Sequence, residues 1–241
     1  MNYKQTEKQK IPKIIHQMWS EIYKPLPKAC SRLAETWKEK HPDWTYLFWN
    51  EKMMDDFMKI EYPDYYDLYS SLPYDIQRWD TIRFFILKKM GGLYVDVDYE
   101  CLENIEPLIE GADIAIALEP DSHSPGLRVP CVLSNALFAS IPNHPFLDQA
   151  IDRIFFHKTL KYSPSNKFKY VLETTGPLML SLLHQSLDLD QKSKITLLAA
   201  KHVMPYDLRQ IKLVVSGIEN DELESCLDEA YAVHYYTNTW V

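Results

Sequence analysis

The chain has 241 residues, 46% of them hydrophobic and 25% charged, which suits one sizeable domain with a real core and excludes disorder as a description of the whole. Six glycines rule out collagen-like and linker architectures, and 26 Lys+Arg against 34 Asp+Glu give a formal charge of -8. That sign argues against nucleic-acid binding by bulk charge, so an anionic ligand would need some other neutralising group.

In chain order, Met1 to Lys10 is polar and Lys-rich without an apolar h-region, and reads as a flexible tail (1–10) rather than a secretory signal. Residues 11–241 read as a single domain. Lys13 to Trp19 is a β-like run opened by Pro12, Leu33 to His41 a short helix stopped by Pro42, and Trp44 to Trp49 a second, aromatic strand. Glu51 to Lys59 reads as helical, and Tyr62 to Tyr69 as a Tyr/Pro-rich stretch. The clearest helix follows, with Ser71 as its cap and Pro73 in its first turn. Ile76, Trp79, Ile82, Ile86 and Met90 recur at helical spacing, and Gly91-Gly92 ends the helix.

Leu93 to Tyr99, Asp113 to Leu118 and Asn135 to Ala139 read as strands, and Phe146 to His157 as a helix. A turn at Thr174 to Pro177 leads into a helix near Leu178 to Gln185, and later β-like runs lie at Ile195 to Leu198 and Tyr231 to Tyr236. Strands alternating with helices predict an α/β sheet layered by helices. No run reaches the ~18–20 apolar residues of a membrane span. Cys30, Cys101, Cys131 and Cys226 form no CxxC pair, so they read as buried or free thiols in a reducing compartment, not as a zinc site or a disulfide scaffold.

Asp96-Val97-Asp98 is the chemical centre of the sequence. If the strand continues through it, alternation puts both carboxylates on one face and sends Val95 and Val97 into the core. Paired carboxylates repel, and a divalent cation relieves that repulsion; oxygen ligands suit Mg²⁺ or Mn²⁺. A solvated acidic turn is the competing reading. An EF-hand loop fails, because its sixth and twelfth positions would be Cys101 and Pro107. A haloacid-dehalogenase-type phosphatase is weakened by Glu100, where its pattern wants Thr or Val. Upstream, Asp80 and Arg83 share a helix face, either as an ordinary ion pair or as a ligand-binding pair; their spacing to Gly91-Gly92 and Asp96-x-Asp98 favours the second.

Asp80-x-x-Arg83 followed by Gly91-Gly92-x-Tyr94-x-Asp96-x-Asp98 resembles the signature of DXD-containing sugar transferases of the glycosyltransferase family 32 type. That group includes mannosyltransferases and capsular polysaccharide enzymes, and its core is similar to that of the large clostridial glucosylating toxins. The run from Ile11 to Trp19 resembles the family's opening strand, and His41-Pro42-Asp43-Trp44 with Trp49 its second. Asn135-Ala136, Thr175-Gly176-Pro177 and the pair His234 and Trp240 match later blocks in the same order.

The resemblance implies a GT-A fold, a Rossmann-like mixed sheet flanked by helices that binds a nucleotide-sugar at strand ends, as open α/β sheets favour. It implies metal-dependent, retaining transfer of a hexose from a nucleotide-sugar, with UDP-hexose preferred and GDP-mannose as the other option, to a glycan or lipid-linked acceptor. Mn²⁺ or Mg²⁺ would sit on Asp96, Asp98 and His234. Asp80 and Arg83 would hold the donor sugar, and Gln17, Trp19, Tyr94, Asn135, Asn238 and Trp240 would complete the donor site.

Two departures stand out: Trp79 replaces a small residue, narrowing the sugar pocket, and Asn238-Thr239-Trp240 replaces a Ser-Trp ending, which weakens the expected phosphate contact. Relatives in eukaryotes carry a membrane anchor, so a soluble bacterial or viral enzyme is expected here, cytoplasmic and peripheral at the membrane. The tail lysines Lys4, Lys8 and Lys10 with Lys13 offer such a contact, with a solvated tail as the alternative. Glu119, after the Asp113 to Leu118 strand, is the candidate base or acceptor contact, with an exposed strand-end Glu as its alternative. His16 reads as structural, His123 and His144 as surface residues, and the tyrosines mostly as core or rim. A metal-dependent phosphohydrolase and a non-catalytic nucleotide-sugar-binding relative are the alternative functions.

Overall fold

The structure is a computed structural model that describes residues 10–125, 127, 129–157 and 160–237. Its first half runs β1 (Ile14–Met18), α1 (Lys28–Lys40), β2 (Thr45–Trp49), α2 (Glu51–Glu61), α3 (Pro63–Ser70), α4 (Asp75–Met90), β3 (Gly92–Val95), β4 (Tyr99–Cys101), α5 (Glu106–Ile109) and β5 (Ile114–Leu118). The second half runs β6 (Leu133–Ser140), α6 (Pro145–Phe156), α7 (Lys167–Thr174), α8 (Pro177–Ser186), α9 (Leu189–Ser193), β7 (Thr196–Leu198), α10 (Ala200–Val203), α11 (Leu208–Val215), α12 (Asp221–Ser225) and β8 (Ala232–His234).

Six strands form one sheet in the order β2-β1-β3-β6-β5-β7. β1 runs parallel to β2 and β3, β7 runs parallel to β5, and β6 runs antiparallel to β3 and β5. The predicted mixed α/β sheet is therefore present. A separate two-stranded ribbon pairs β4 with β8. Helices cover both faces of the sheet. On one face Met54, Met58, Ile82, Phe85, Leu147 and Leu180 pack around Phe138; on the other Trp37, Ile109 and Val203 pack around Leu93 and Leu137.

Several elements differ from their sequence reading. The first helix starts at Lys28, five residues before Leu33, because Cys30, Ala34 and Trp37 form one continuous buried row. The Tyr/Pro-rich stretch is the helix α3, with Pro63 in its first turn, where a missing N–H costs nothing. Ser71 closes α3 rather than capping α4. The cap of α4 is Tyr74, whose backbone N–H donates to Gln77 Oε1 at 3.1 Å, and Pro73 precedes the helix.

The strand beginning at Leu93 does not continue to Tyr99. It ends at Val95, and Asp96 to Asp98 form a turn closed by Tyr99 N donating to Asp96 O at 3.2 Å. The two aspartates thus share a site through a turn, not through strand alternation. Val95 is in the core, while Val97, also buried, lines a cleft instead.

Candidate active site

The C-terminal ends of β1 and β3 open into a cleft of about 1340 Å³. Its floor is built from α4, the Asp96–Asp98 turn, β6 and the segment after β8. Asp80 and Arg83 lie on successive turns of α4 and are both buried. Arg83 Nη2 is 3.0 Å from Asp80 Oδ1, and Nη1 is 3.4 Å from Asp96 Oδ1. Nη1 also donates to the Asn135 carbonyl, Nε donates to the Trp79 carbonyl at 3.3 Å, and the guanidinium carbon lies 4.6 Å over the Tyr94 ring. A buried guanidinium satisfied on every side is a fixed positive charge.

Asp80 receives Asn135 Nδ2 at 2.9 Å on one oxygen and Thr175 Oγ1 at 3.0 Å on the other. Burial lifts its pKa to about 6 against the pull of Arg83, Thr175 and Asn135. Asp96 is raised as well, by burial first, although Arg83 opposes the shift; its side chain is 29% exposed and accepts the Tyr94 hydroxyl at 2.5 Å.

Asp98 behaves in the opposite way. Burial pushes its pKa up, but His234 and the Thr237 donors outweigh that and hold it far below the usual carboxylate range. Thr237 N and Oγ1 both donate to Oδ2 at 2.9 Å, and His234 Nε2 stands 3.2 Å from Oδ1. His234 in turn is raised, the nearby Asp98 outweighing burial. Its ring stacks on Tyr99 with centroids 4.4 Å apart. The pairing of β4 with β8, with Tyr99 opposite His234, delivers this histidine from the far end of the chain.

Asp96, Asp98 and His234 place ligand atoms within 4.8 Å of one another, and no other such cluster occurs among the described residues. Beside them, His234 Nδ1 and the Tyr99 and Tyr236 hydroxyls are buried without hydrogen-bond partners among the described residues. Two hard carboxylates and an imidazole, bordered by unsatisfied polar atoms, form a donor set that fits Mn²⁺ or Mg²⁺.

The other predicted site residues divide. Trp19 lines the cleft, its indole N–H donating to the Lys24 carbonyl at 3.1 Å. Tyr94 and Asn135 line it too, but both are mostly enclosed by Arg83 and Asp80. Gln17 does not reach it. It is fully buried, receives the Tyr46 hydroxyl at 2.7 Å and donates to the Asp96 carbonyl at 3.1 Å, so it holds the turn from behind. Asn238 and Trp240 lie outside the described residues, as does the tail through residue 9.

Glu119 is not an exposed strand-end residue: it lines the cleft and pairs with His123 Nδ1 at 2.8 Å. His123, read from sequence as a surface residue, lines the cleft against the Tyr236 ring, and its Nε2 is buried without a partner among the described residues. The one-turn helix at Asp121–His123 folds it back, which its Pro-bounded loop did not signal. His144 is also buried, accepting from Phe146 N at 3.2 Å as the cap of α6. Thr175 and Thr237 were missed as site residues. For Thr175 the available signal was its position just before Gly176-Pro177, where a chain entering a helix leaves side chains pointing at its neighbour.

Known proteins resemble this chain in sequence and in fold. Residues 27–115, which hold Asp80, Arg83, Asp96 and Asp98, match the family described as a glycosyltransferase sugar-binding region containing the DXD motif. A mannosyl phosphorylinositol ceramide synthase of Saccharomyces cerevisiae is 34% identical over 175 residues, covering 73% of this chain and 43% of that protein. Inositol phosphoceramide mannosyltransferase 1 of Schizosaccharomyces pombe is 33% identical over 181 residues, covering 73% of this chain and 51% of that protein. The chain therefore spans about half the length of the relatives it matches. The solved structure of PaToxG glycosyltransferase aligns with a TM-score of 0.52 at 19% identity, covering 76% of this chain and 73% of that one. The fold is GT-A, and the resemblance to DXD sugar transferases holds. No helix of the described residues is long and apolar enough to cross a membrane.

Proposed function

We propose that this chain is a metal-dependent retaining glycosyltransferase, with 11–241 as one catalytic unit, that moves a hexose from a nucleotide-sugar to a hydroxyl of a glycan or glycolipid. The observation that carries this reading is the cluster of Asp96, Asp98 and His234 beside the buried Asp80–Arg83 pair on the floor of one cleft. The relatives' names favour mannose as the sugar, hence GDP-mannose over a UDP-hexose, and an inositol-phosphate lipid as the acceptor.

Asp96, Asp98 and His234 would hold Mn²⁺ or Mg²⁺, which when bound offsets the charge that grows on a departing diphosphate. Thr237 fixes Asp98 through Oδ2 and leaves Oδ1 turned toward His234. Arg83 anchors Asp80 and Asp96 together, so the sugar-facing and metal-facing carboxylates cannot drift apart. Asp80 is placed to accept a hydrogen bond from a donor-sugar hydroxyl. Trp19 offers an aromatic face at the cleft wall for the base, and Trp79 narrows the space beside the sugar.

In retaining transfer the acceptor oxygen attacks from the leaving-group side, and a donor phosphate oxygen takes its proton, so no protein nucleophile is compulsory. Glu119 orients His123, and that pair is the acceptor contact in this reading. A phosphohydrolase would not need it, and the relatives do not favour one.

Calorimetric titration of GDP, GDP-mannose, UDP and UDP-glucose, with Mn²⁺ and then with EDTA, tests the donor site. One nucleotide-sugar class should bind, and only with metal. Asp98→Asn should abolish metal-dependent binding and transfer while circular dichroism stays native; near wild-type activity in that variant would sink the assignment.

A further inference from the structure

The segment after α6 has a charge pattern unlike the rest of the molecule. Residues 154–172 contain Lys158, Lys161, Lys167 and Lys169 and no aspartate or glutamate, in a chain of formal charge -8. The next residue, Glu173, is buried. Its carboxylate accepts the backbone N–H groups of Lys161 and Tyr162 at 2.9 and 2.8 Å, which folds the segment back onto α7, where Lys161, Lys167 and Lys169 are exposed. Lys161 and Lys169 stand 5.1 and 5.3 Å over the Tyr162 ring, and the Tyr74 hydroxyl donates to the Pro164 carbonyl at 2.8 Å. That last contact pins the segment to the start of α4, at the cleft.

The same segment exposes large apolar side chains: Phe156 is 55% exposed and Phe168 48%, with Leu160 close behind. Lys167 and Phe168 line the cleft. The rim continues through Tyr74 and Asp75 to Tyr23, whose hydroxyl donates to Asp75 and which is 72% exposed, next to exposed Ile22 and to Lys24. Single exposed apolar residues need no explanation, but Phe156, Leu160 and Phe168 fall within one lysine-bearing segment, and Phe168 and Tyr23 both line the cleft, a combination that marks an interaction surface.

We propose that this rim docks on an anionic lipid bilayer and sets the cleft mouth against the headgroup layer. Lysines near an anionic leaflet each strengthen attraction about fivefold, and aromatic and aliphatic side chains insert at the headgroup boundary. A nucleic acid would use the lysines and could stack on Phe156 or Phe168. It has no use for Leu160 and Ile22, which offer no stacking face, so the bilayer is the better fit. For a lipid-borne acceptor the inference rests on the proposed transferase activity; for binding itself it does not.

The test is co-sedimentation of the full chain with phosphatidylcholine vesicles and with vesicles that also contain phosphatidylserine, at low and high salt. The protein should pellet with the anionic vesicles only, and salt should release it. Lys161→Gln/Lys169→Gln should weaken partitioning on the order of 20-fold, and Phe156→Ser should weaken it without changing the salt slope. Equal binding to both vesicle types, no pelleting at low salt, or unchanged partitioning of the double variant would overturn the proposal. So would salt-sensitive binding to single-stranded RNA with the vesicles ignored. Donor hydrolysis measured alongside separates the two ideas: vesicle binding without any hydrolysis removes the transferase reading alone, and hydrolysis without vesicle binding removes this one alone.

Discussion

Arg83 and His16 show how single buried groups set the site. Arg83 makes Asp80 and Asp96 tolerable in the interior; removing it would leave two carboxylates facing each other across the cleft floor, the arrangement that costs most in a low-dielectric environment. His16 is the neutral counterpart. Its Nε2–H donates to the Gly91 carbonyl at 2.9 Å while Nδ1 accepts the Trp49 indole N–H at 3.2 Å, so a single tautomer is fixed and a second proton would face another donor. Burial therefore lowers its pKa to about 4, against the pull of the Gly91 carbonyl. Because the unfolded side chain titrates near 6.5 and the folded one near 4, the stabilisation is complete above pH ~6.5 and is lost as pH falls toward ~4, about 3 kcal/mol in all. His16→Gln has no such proton. The stability gap between wild type and this variant in urea titrations should shrink by about that amount between neutral pH and pH ~4; a constant gap would show that His16 is not held neutral.

The junction of α4 with β3 carries the site at the scale of elements. Gly92 has φ +102°, and a Cβ there would lie 2.5 Å from the Ile14 carbonyl of the adjacent strand. Gly92→Ala should therefore cost at least ~2 kcal/mol through strain and close contact. It should also weaken metal-dependent donor binding, because β3 leads directly into Asp96; a denaturant midpoint within error of wild type would refute the strain. This junction was legible in the sequence, because the apolar spacing of Ile76, Ile82 and Ile86 and the paired glycines are local signals. The break after Val95 was not. Alternation describes a strand that continues, and nothing local says that Gln17, on another strand, will take the Asp96 carbonyl and turn the chain. The same limit hid the cleft-facing position of His123, which depends on Glu119 and on Tyr236 from the far end of the chain. The start of α1 was missed because its buried row extends back to Cys30, beyond the stretch whose apolar residues marked the helix.

Across the whole molecule, the candidate metal cluster is assembled from two remote parts of the chain: Asp98 and His234 are 136 residues apart and meet only because β8 pairs with β4. Without a cation, His234 and Thr237 satisfy Asp98, while Ala232 and Val233 pack the ribbon into the apolar clusters on its two sides. A cation held by Asp96, Asp98 and His234 adds a tie between the sheet that carries the turn and the ribbon that carries the histidine, and an unfolded chain cannot present that set. Mn²⁺ should then raise stability by RT ln(1 + [L]/Kd), about 2.7 kcal/mol at a hundredfold excess over Kd, seen as a higher thermal midpoint that EDTA reverses. His234→Ala should lose most of that gain while the metal-free protein still folds, because the substitution removes one ligand and leaves Cys101 and Ala232 of the ribbon packed against the sheet. If Mn²⁺ raises the midpoint of His234→Ala as much as that of wild type, the ion binds elsewhere, and the closing strand serves only to orient Asp98.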